Sequence, residues 1–168
     1  MISVEEALEK ILSYFRELET EERPILETLG QVLAQDIHSA IDVPPADNSA
    51  MDGYAVRAAD TKGASPSSPK VLEVIGEVAA GSLADQAVGP GKAVRIMTGA
   101  PVPPGADTVV PFEDTDEPAR GKRAGGGRAL SSNIGILKET SEDCNIRRAG
   151  EDVPRGARVL EKGTVIRP

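Results

Sequence analysis

Aromatic residues, cysteine and histidine are scarce in this chain of 168 residues. It has no tryptophan, two tyrosines and two phenylalanines, so its hydrophobic core must be built from aliphatic side chains. The single cysteine, Cys144, cannot form an internal disulfide. Because His38 is the only histidine, a zinc site made of cysteine and histidine is excluded. Any metal bound by this chain must therefore be a hard cation on oxygen ligands.

Long apolar runs are also missing. No stretch approaches the roughly 20 consecutive apolar residues of a membrane-spanning helix. The N-terminus, MISVEEALEK, is acidic, whereas a secretory signal begins with basic residues and continues with apolar ones. We therefore expect a cytoplasmic protein that binds no membrane.

Basic residues are fewer than acidic ones, and the difference is confined to the first part of the chain. Residues 1–62 contain 5 Lys and Arg against 13 Asp and Glu, and residues 63–168 contain 14 of each, so the first part carries the whole net charge of −8. The one basic run consists of Arg120, Lys122, Arg123 and Arg128, interleaved with glycine and without an aromatic residue for base stacking. We interpret it as a solvated hairpin tip and expect no binding to nucleic acid.

Helix patterns are confined to the beginning of the chain. Residues 3–20 combine a capping-box pair, Ser3 and Glu6, with apolar residues at helical spacing, which predicts an amphipathic helix. Thr28 and Gln31 repeat the capping-box spacing and predict a short second helix that ends near Gln35. A strand over residues 36–43, halted by two prolines, is predicted next.

Short strand-like runs follow, separated by turns rich in the 17 glycines and 13 prolines. They predict a small antiparallel barrel or coiled sheet. The expected fold class is α+β and mostly β, with this barrel-like module, residues 44–145, inserted into an elongated helix-plus-strand subdomain, residues 1–43 and 146–168. The predicted strands cover residues 71–78, 93–97, 108–112, 134–137 and 158–160.

One loop, residues 44–55, concentrates polar side chains after two prolines and before Gly53. Asp47, Asn48, Ser49 and Asp52 fall within six residues of one another, so they could converge on one ligand. The alternative is that these side chains cap turns, as Asp and Asn commonly do.

A second segment, residues 95–107, ends a predicted strand in Thr98 and Gly99. The hydroxyl of Thr98 and the amides of Gly99 and Ala100 would then be available to hold an anion. The alternative is a strand followed by a turn that prolines stiffen.

The third segment, residues 145–152, pairs two basic residues with two acidic ones. Arg147 and Arg148 can bind a phosphate or another oxyanion, and Glu151 and Asp152 can pair with them or bind a divalent cation. A surface salt-bridge cluster is the alternative.

Taken in order, the three segments DNSAMDGYAVR, RIMTGAPVPPGADTVV and NIRRAGED are far more specific than any one of them. Together they resemble the molybdopterin molybdenumtransferase family of molybdenum-cofactor biosynthesis, whose animal member is gephyrin. The resemblance covers nearly the whole chain and corresponds to the family's N-terminal part. The chain ends at Pro168 inside a predicted element, so we expect it to be part of a longer protein.

The resemblance implies an enzyme that inserts molybdenum from molybdate into adenylylated molybdopterin and releases AMP, with Mg²⁺ as the divalent cation. It also implies a homodimer, whose active cleft forms between this β module and the pterin-binding domain of the other subunit. By position, Asp52, Thr98, Arg147 and Asp152 match the family's active site. The expected roles are catalysis by Asp52, Thr98 and Asp152, substrate binding by Asp47, Ser49, Gly99 and Arg147, and metal binding by Asp52 and Asp152.

Two other functions remain open. The chain can be a non-catalytic dimerisation or scaffold module, or a β domain for another ligand. Because the pterin-binding part of the family lies outside these residues, we expect the chain by itself not to transfer molybdenum.

Overall fold

The computed structural model describes residues 2–82, 86–117 and 132–168, which group into two compact units. One unit joins Met1–His38 to Arg158–Pro168, and the other is Ser39–Ala157. Taken together, the described residues contain mostly short strands and little helix, so the predicted fold class is confirmed. The basic run at residues 120–128 lies outside the described residues. No helix of the described part of the chain is long and apolar enough to span a membrane.

The described residues form nine strands and two short α-helices, and most of the strands are only two to five residues long. The helices are α1 (Val4–Leu12) and α2 (Ala58–Thr61), and the strands are β1 (Ile37–His38), β2 (Asn48–Ser49), β3 (Gly53–Val56), β4 (Lys70–Val78), β5 (Lys92–Ile96), β6 (Thr108–Pro111), β7 (Asn133–Ile136), β8 (Ile146–Arg147) and β9 (Arg158–Leu160).

The larger unit is organised around a five-stranded sheet with the order β6-β3-β5-β4-β7. All neighbouring pairs are antiparallel except β4 and β5, which run parallel. The sequence predicted an antiparallel arrangement, which is wrong at this pair. Residues 79–91 are a connection long enough for the crossover that parallel neighbours require.

The core lies on both faces of the central strands. Alternate residues of β3 contribute to two clusters of buried side chains, Tyr54 and Val56 to one and Ala55 to the other. In β5, Ala93 likewise belongs to the first cluster and Val94 to the second. Successive side chains of a strand point to opposite faces of the sheet, which produces this division. The same alternation determines on which face the residue next to each strand end lies.

Two small antiparallel ribbons complete the pairing: β1 with β9 in the smaller unit, and β2 with β8 in the larger one. The sequence had placed residues 39–43 and 146–157 with the helical subdomain, whereas they lie in the larger unit. The β2–β8 pairing and the bridge between Val43 and Val153 tie these residues to it.

Helix α1 is shorter than the periodicity indicated. Its capping box is present, with Ser3 and Glu6 each accepting a hydrogen bond from the other's backbone N–H. The helix nevertheless ends at Leu12, because the Ser13 hydroxyl donates to the carbonyl of Lys10 and the following residues form tighter turns. Val4, Leu8, Ile11, Leu12, Phe15 and Leu18, all on the predicted stripe, are exposed.

The second predicted helix is absent. A 3₁₀ turn, Ile25–Glu27, lies just before the predicted segment, and the hydroxyl of Thr28 donates back to the carbonyl of Ile25. The chain then pairs with residues 164–166, since Gly30 and Leu33 donate to the carbonyls of Ile166 and Thr164. The spacing of Thr28 and Gln31 therefore does not mark the start of a helix, because the backbone N–H groups that follow form hydrogen bonds with residues 164–166 instead of within a helix.

Candidate active site

Asp52 and Thr98 meet where the neighbouring central strands β3 and β5 end. The Oδ1 atom of Asp52 accepts two hydrogen bonds from Thr98, one from the backbone N–H at 2.7 Å and one from the hydroxyl at 2.8 Å. The two residues are 46 positions apart in the chain, and both are exposed. The predicted catalytic pair is thus brought together, with the carboxylate held on the surface.

Strand pairing explains this meeting. Asp52 directly precedes β3 and Thr98 follows β5 by one residue, and these strands pair antiparallel with Gly53 opposite Ile96. A side chain at position 53 could not be accommodated, because a Cβ there would lie 2.1 Å from the carbonyl oxygen of Val110. The glycine after Asp52 therefore lets β3 approach β6 closely and places Asp52 at the end of the strand.

The surroundings of Asp52 favour its ionised form. The hydrogen bond from the Thr98 backbone, then that from the Thr98 hydroxyl, hold the pKa of the Asp52 carboxyl below its ordinary value. The positive charge of Arg95 contributes in the same direction. At neutral pH the site therefore presents a fixed anion with no proton to donate.

Arg147 and Asp152 form a second pair. The Nη2 atom of Arg147 donates to Oδ2 of Asp152 at 2.5 Å, and both side chains are about half exposed, at 45% and 48%. The β2–β8 ribbon sets Arg147 opposite Asn48. Because an exposed ion pair is worth little, the guanidinium can exchange this partner for an oxyanion at small cost.

Asp47 forms an ion pair with Arg148, the residue that follows Arg147 in the chain. Its Oδ2 atom pairs with Nη1 of Arg148, and its Oδ1 atom accepts the backbone N–H of Ala149 at 2.8 Å. Arg148 also pairs with Asp143. The Ala149 N–H and then Arg148 lower the pKa of Asp47, and Asp47 raises that of Arg148. The sequence offered Arg148 as an oxyanion ligand, whereas here its guanidinium joins two loops.

Ser49 and Gly99 are linked through the main chain. Ser49 is completely buried, its hydroxyl donates to the carbonyl of Met51 at 2.6 Å, and its backbone N–H donates to Ala100. Gly99 donates to the carbonyl of Ser49 at 2.8 Å and Ala100 to that of Met97. The prediction that the amides at 99 and 100 are available for an anion is therefore wrong, since both are used within the chain.

The structure thus gathers the predicted residues into two exposed pairs, Asp52 with Thr98 and Arg147 with Asp152. Strand β2 connects the segments that carry the two pairs. Its Ser49 forms backbone hydrogen bonds with residues 99 and 100 on one side and lies opposite Ile146 of β8 on the other. Within the described ranges, no three aspartate, glutamate, histidine or cysteine side chains come close enough to hold a metal ion. Asp52 and Asp152 are therefore not grouped with further potential metal ligands in the part of the chain that the structure describes.

Arg95 is the residue of this region that the sequence did not single out. It lies in the buried strand β5 and is 3% exposed. The signal was available, because a charged residue in an otherwise apolar strand needs a buried partner. Its partners, Glu77 and Glu117, could not be identified from the sequence.

Comparison with known proteins decides the family. The family model that describes the MoeA N-terminal region, domains I and II, matches residues 2–168. This chain belongs to the MoeA family. Its MoeA relatives include molybdopterin molybdenumtransferase 2 of Mycobacterium tuberculosis (strain CDC 1551 / Oshkosh), 42% identical over 86% of this chain and 33% of the relative. The molybdopterin molybdenumtransferase of Staphylococcus aureus (strain Mu50 / ATCC 700699) is 38% identical over 99% of this chain and 37% of the relative.

A solved MoeA structure has the same fold. The crystal structure of the molybdopterin biosynthesis MoeA protein from Pyrococcus horikoshii OT3 matches 98% of this chain with a TM-score of 0.83 and 41% identity. The match covers 40% of that protein. The chain therefore spans between a third and two fifths of the length of these MoeA proteins and corresponds to their N-terminal region, as the three sequence segments indicated.

Proposed function

We propose that this MoeA region forms one face of the active site of a molybdopterin molybdenumtransferase, which inserts molybdenum from molybdate into adenylylated molybdopterin and releases AMP. The observation that carries the proposal is the Asp52 carboxylate, exposed, ionised and fixed by two hydrogen bonds from Thr98. A turn-capping aspartate needs no such exposed presentation at the end of a central strand. The names of the relatives support a transferase of molybdenum-cofactor biosynthesis.

In this proposal Asp52 and Thr98 act as a unit. Because Thr98 occupies Oδ1, the second carboxylate oxygen of Asp52 is the atom that orients a water molecule or a hydrated cation at the adenylate phosphates. Thr98 keeps the carboxylate from rotating, so its geometry is set before substrate arrives.

Arg147 recognises the negative charge of molybdate or of the substrate phosphate in this scheme. Its planar guanidinium suits such oxyanions, and Asp152 holds it in place until they arrive. We assign positioning roles to Asp47, Ser49 and Gly99, because their polar groups already bind other parts of the chain.

The described residues offer one carboxylate for the Mg²⁺ that the family resemblance implies. Mg²⁺ commonly keeps several waters and binds through one or two carboxylates together with substrate phosphates. Asp52 offers one such carboxylate, whereas Asp152 is already paired with Arg147. Asp52 would therefore hold the cation, which would neutralise the repulsion between this carboxylate and a polyanionic substrate.

The test is a chimaera in which this chain replaces the matching 167-residue region of the Staphylococcus aureus relative. With adenylylated molybdopterin and molybdate, the chimaera should insert molybdenum, and Asp52→Ala should abolish insertion while lowering folding stability by about 1 kcal/mol. Glu142→Ala, which removes an exposed carboxylate outside the pairs, should retain activity. An active Asp52→Ala variant would contradict the proposal and favour a scaffold module.

We propose further that the full-length protein is a homodimer and that the chain by itself does not transfer molybdenum. Support comes from the resemblance and from the apolar stripe of α1, where Leu8 and Ile11 are more than half exposed. Monomeric proteins rarely leave such a contiguous apolar face in water. Sedimentation of the chimaera should give a dimer, and Leu8→Glu with Ile11→Glu should weaken it, whereas a monomeric chimaera would refute this part of the proposal.

A further inference from the structure

Two arginines that are neighbours in the chain have different partners. Arg147 forms an ion pair with Asp152, five residues further on. Arg148 forms two ion pairs, with Asp47 from the segment before β2 and with Asp143 from the segment before β8. Among the described residues, the two arginines share no carboxylate. Arg147 is therefore the guanidinium that can exchange its partner for a ligand, and Arg148 is the one that cross-links the fold.

Arg148 extends the β2–β8 ribbon by one step. Each strand of this ribbon is two residues long, and Asn48 lies opposite Arg147. Asp47 and Arg148 come next in the same antiparallel register, so their ion pair is a cross-strand contact at the end of the ribbon. The Oδ1 atom of Asp47 also accepts the backbone N–H of Ala149 at 2.8 Å. Both carboxylate oxygens of Asp47 therefore hold the end of β8 that carries Arg147.

Asp143 is the second anchor of Arg148. Its backbone is left-handed, with a φ of 62°, and its N–H donates to the carbonyl of Asp107 at 2.8 Å. Asn145 is also left-handed, with a φ of 58°, and its side-chain amide donates to the carbonyl of Val109 at 2.8 Å. Residues other than glycine keep this conformation only where the surrounding contacts impose it. The ion pair with Asp143 thus ties Arg148 to a segment that is itself bonded to β6 and to the residue before it.

We propose that Arg148 is a positioning residue for Arg147. Through its two carboxylate partners it fixes the end of β8, which holds the Arg147 guanidinium at the place where it meets an oxyanion. This inference rests on the proposed function, in which Arg147 binds molybdate or the substrate phosphate. A side chain that is ordered before binding loses less freedom when the ligand arrives, so the affinity for the anion is higher. A purely structural Arg148 would stabilise the fold and leave the order of Arg147 unchanged.

The first test measures the order of the Arg147 side chain in this chain, without substrate. The heteronuclear NOE of its Nε–H group, measured by ¹⁵N NMR, reports motion of the guanidinium on the picosecond to nanosecond timescale. Arg148→Met should lower this NOE. Arg155→Met, the same change at another exposed arginine of the same unit, should leave it in place. An unchanged NOE at Arg147 in folded Arg148→Met would overturn the inference.

Asp143→Asn separates positioning from simple charge, and it also decides the matter if Arg148→Met does not fold. Asp143 is 67% exposed, and asparagine tolerates its left-handed backbone, so the substitution is mild. Because the change removes a negative charge, electrostatics alone predicts a lower KM of the chimaera for molybdate. Positioning predicts the opposite sign, a KM raised about threefold with little change in kcat, since the bridge to Arg148 is weakened.

The matched control for this variant is Glu142→Gln, which removes the neighbouring exposed carboxylate outside the ion pairs. It carries the same change of charge and should not raise KM. A KM in Asp143→Asn that equals the wild-type value or falls below it would contradict the proposal.

These measurements are separable from the proposed function, because the NOE requires no turnover. If the NOE falls in Arg148→Met but the Asp52→Ala chimaera still inserts molybdenum, Arg148 positions Arg147 and the assigned catalytic role is wrong. If the NOE stays and Asp52→Ala is inactive, the activity stands and the role of Arg148 is refuted.

Discussion

Asp52 and Thr98 are joined twice at one atom, since Oδ1 of Asp52 accepts both the backbone N–H and the hydroxyl of Thr98. The arrangement is rigid because one donor belongs to the main chain at the end of β5. It leaves the other carboxylate oxygen, Oδ2, outside both of these bonds. An exposed carboxylate thus acquires a defined orientation, which is the property that a catalytic or binding anion requires.

Replacing Thr98 tests how far this arrangement controls Asp52. Thr98→Val removes the hydroxyl donor and keeps the backbone N–H, so the pKa of Asp52 should rise but remain below its ordinary value. Carboxyl titration by NMR measures the change, and Thr98→Ser, which retains a hydroxyl, serves as the control. Superimposable curves for the valine and wild-type proteins would show that the hydroxyl bond has no influence.

Gly53 tests the close approach of strands that places Asp52. Gly53→Ala should destabilise the chain by about 3 kcal/mol, because its Cβ would fall 2.1 Å from the Val110 carbonyl oxygen. Gly76→Ala is the matched strand control, since no atom lies within 4 Å of its Cβ, and its effect should stay within about 1 kcal/mol. Urea unfolding of both variants provides the comparison, and equal losses would contradict the packing argument.

Asp47 should make stability depend on acid. Its pKa in the folded chain is lowered by the Ala149 N–H and by Arg148, so its contribution is fully present above the pKa of the unfolded chain. As pH falls through the folded pKa, this contribution is lost. Urea unfolding between pH 7 and pH 3 should therefore show a smaller decline for Asp47→Asn than for the wild type. Parallel declines would exclude Asp47 as a source of the acid sensitivity.

Arg147 tests recognition of an oxyanion. Arg147→Lys keeps the charge but loses the planar fork that matches two oxygens, so the KM of the chimaera for its anionic substrate should rise about tenfold. Arg155→Lys, at an exposed arginine outside the two pairs, should leave KM as it is. Steady-state insertion kinetics supply the measurement, and an unaltered KM in Arg147→Lys would remove Arg147 from the binding site.

The sequence by itself determined the family and the fold class, and it indicated the loops that hold the candidate site. The order of three short segments is specific. Apolar runs between Gly and Pro turns predict strands over residues 71–78 and 108–112, which the structure shows as Lys70–Val78 and Thr108–Pro111. The capping box at Ser3 also marked the start of α1 correctly. Such patterns are local, so they can be recognised along the chain without knowledge of contacts.

Tertiary structure decided where backbone groups and charges find their partners. The segment after Thr28 pairs with residues 164–166 and forms no helix, because distant backbone groups accept and donate its hydrogen bonds. For the same reason the amides of Gly99 and Ala100 bond within the chain, and Asp47 is held by Arg148 from 101 positions away. The contact between Asp52 and Thr98 depends on the pairing of β3 with β5, and so does the position of Arg95 beneath Phe112. Strand pairing brings together residues that are far apart in the sequence, and nothing in their separation indicates that they will meet.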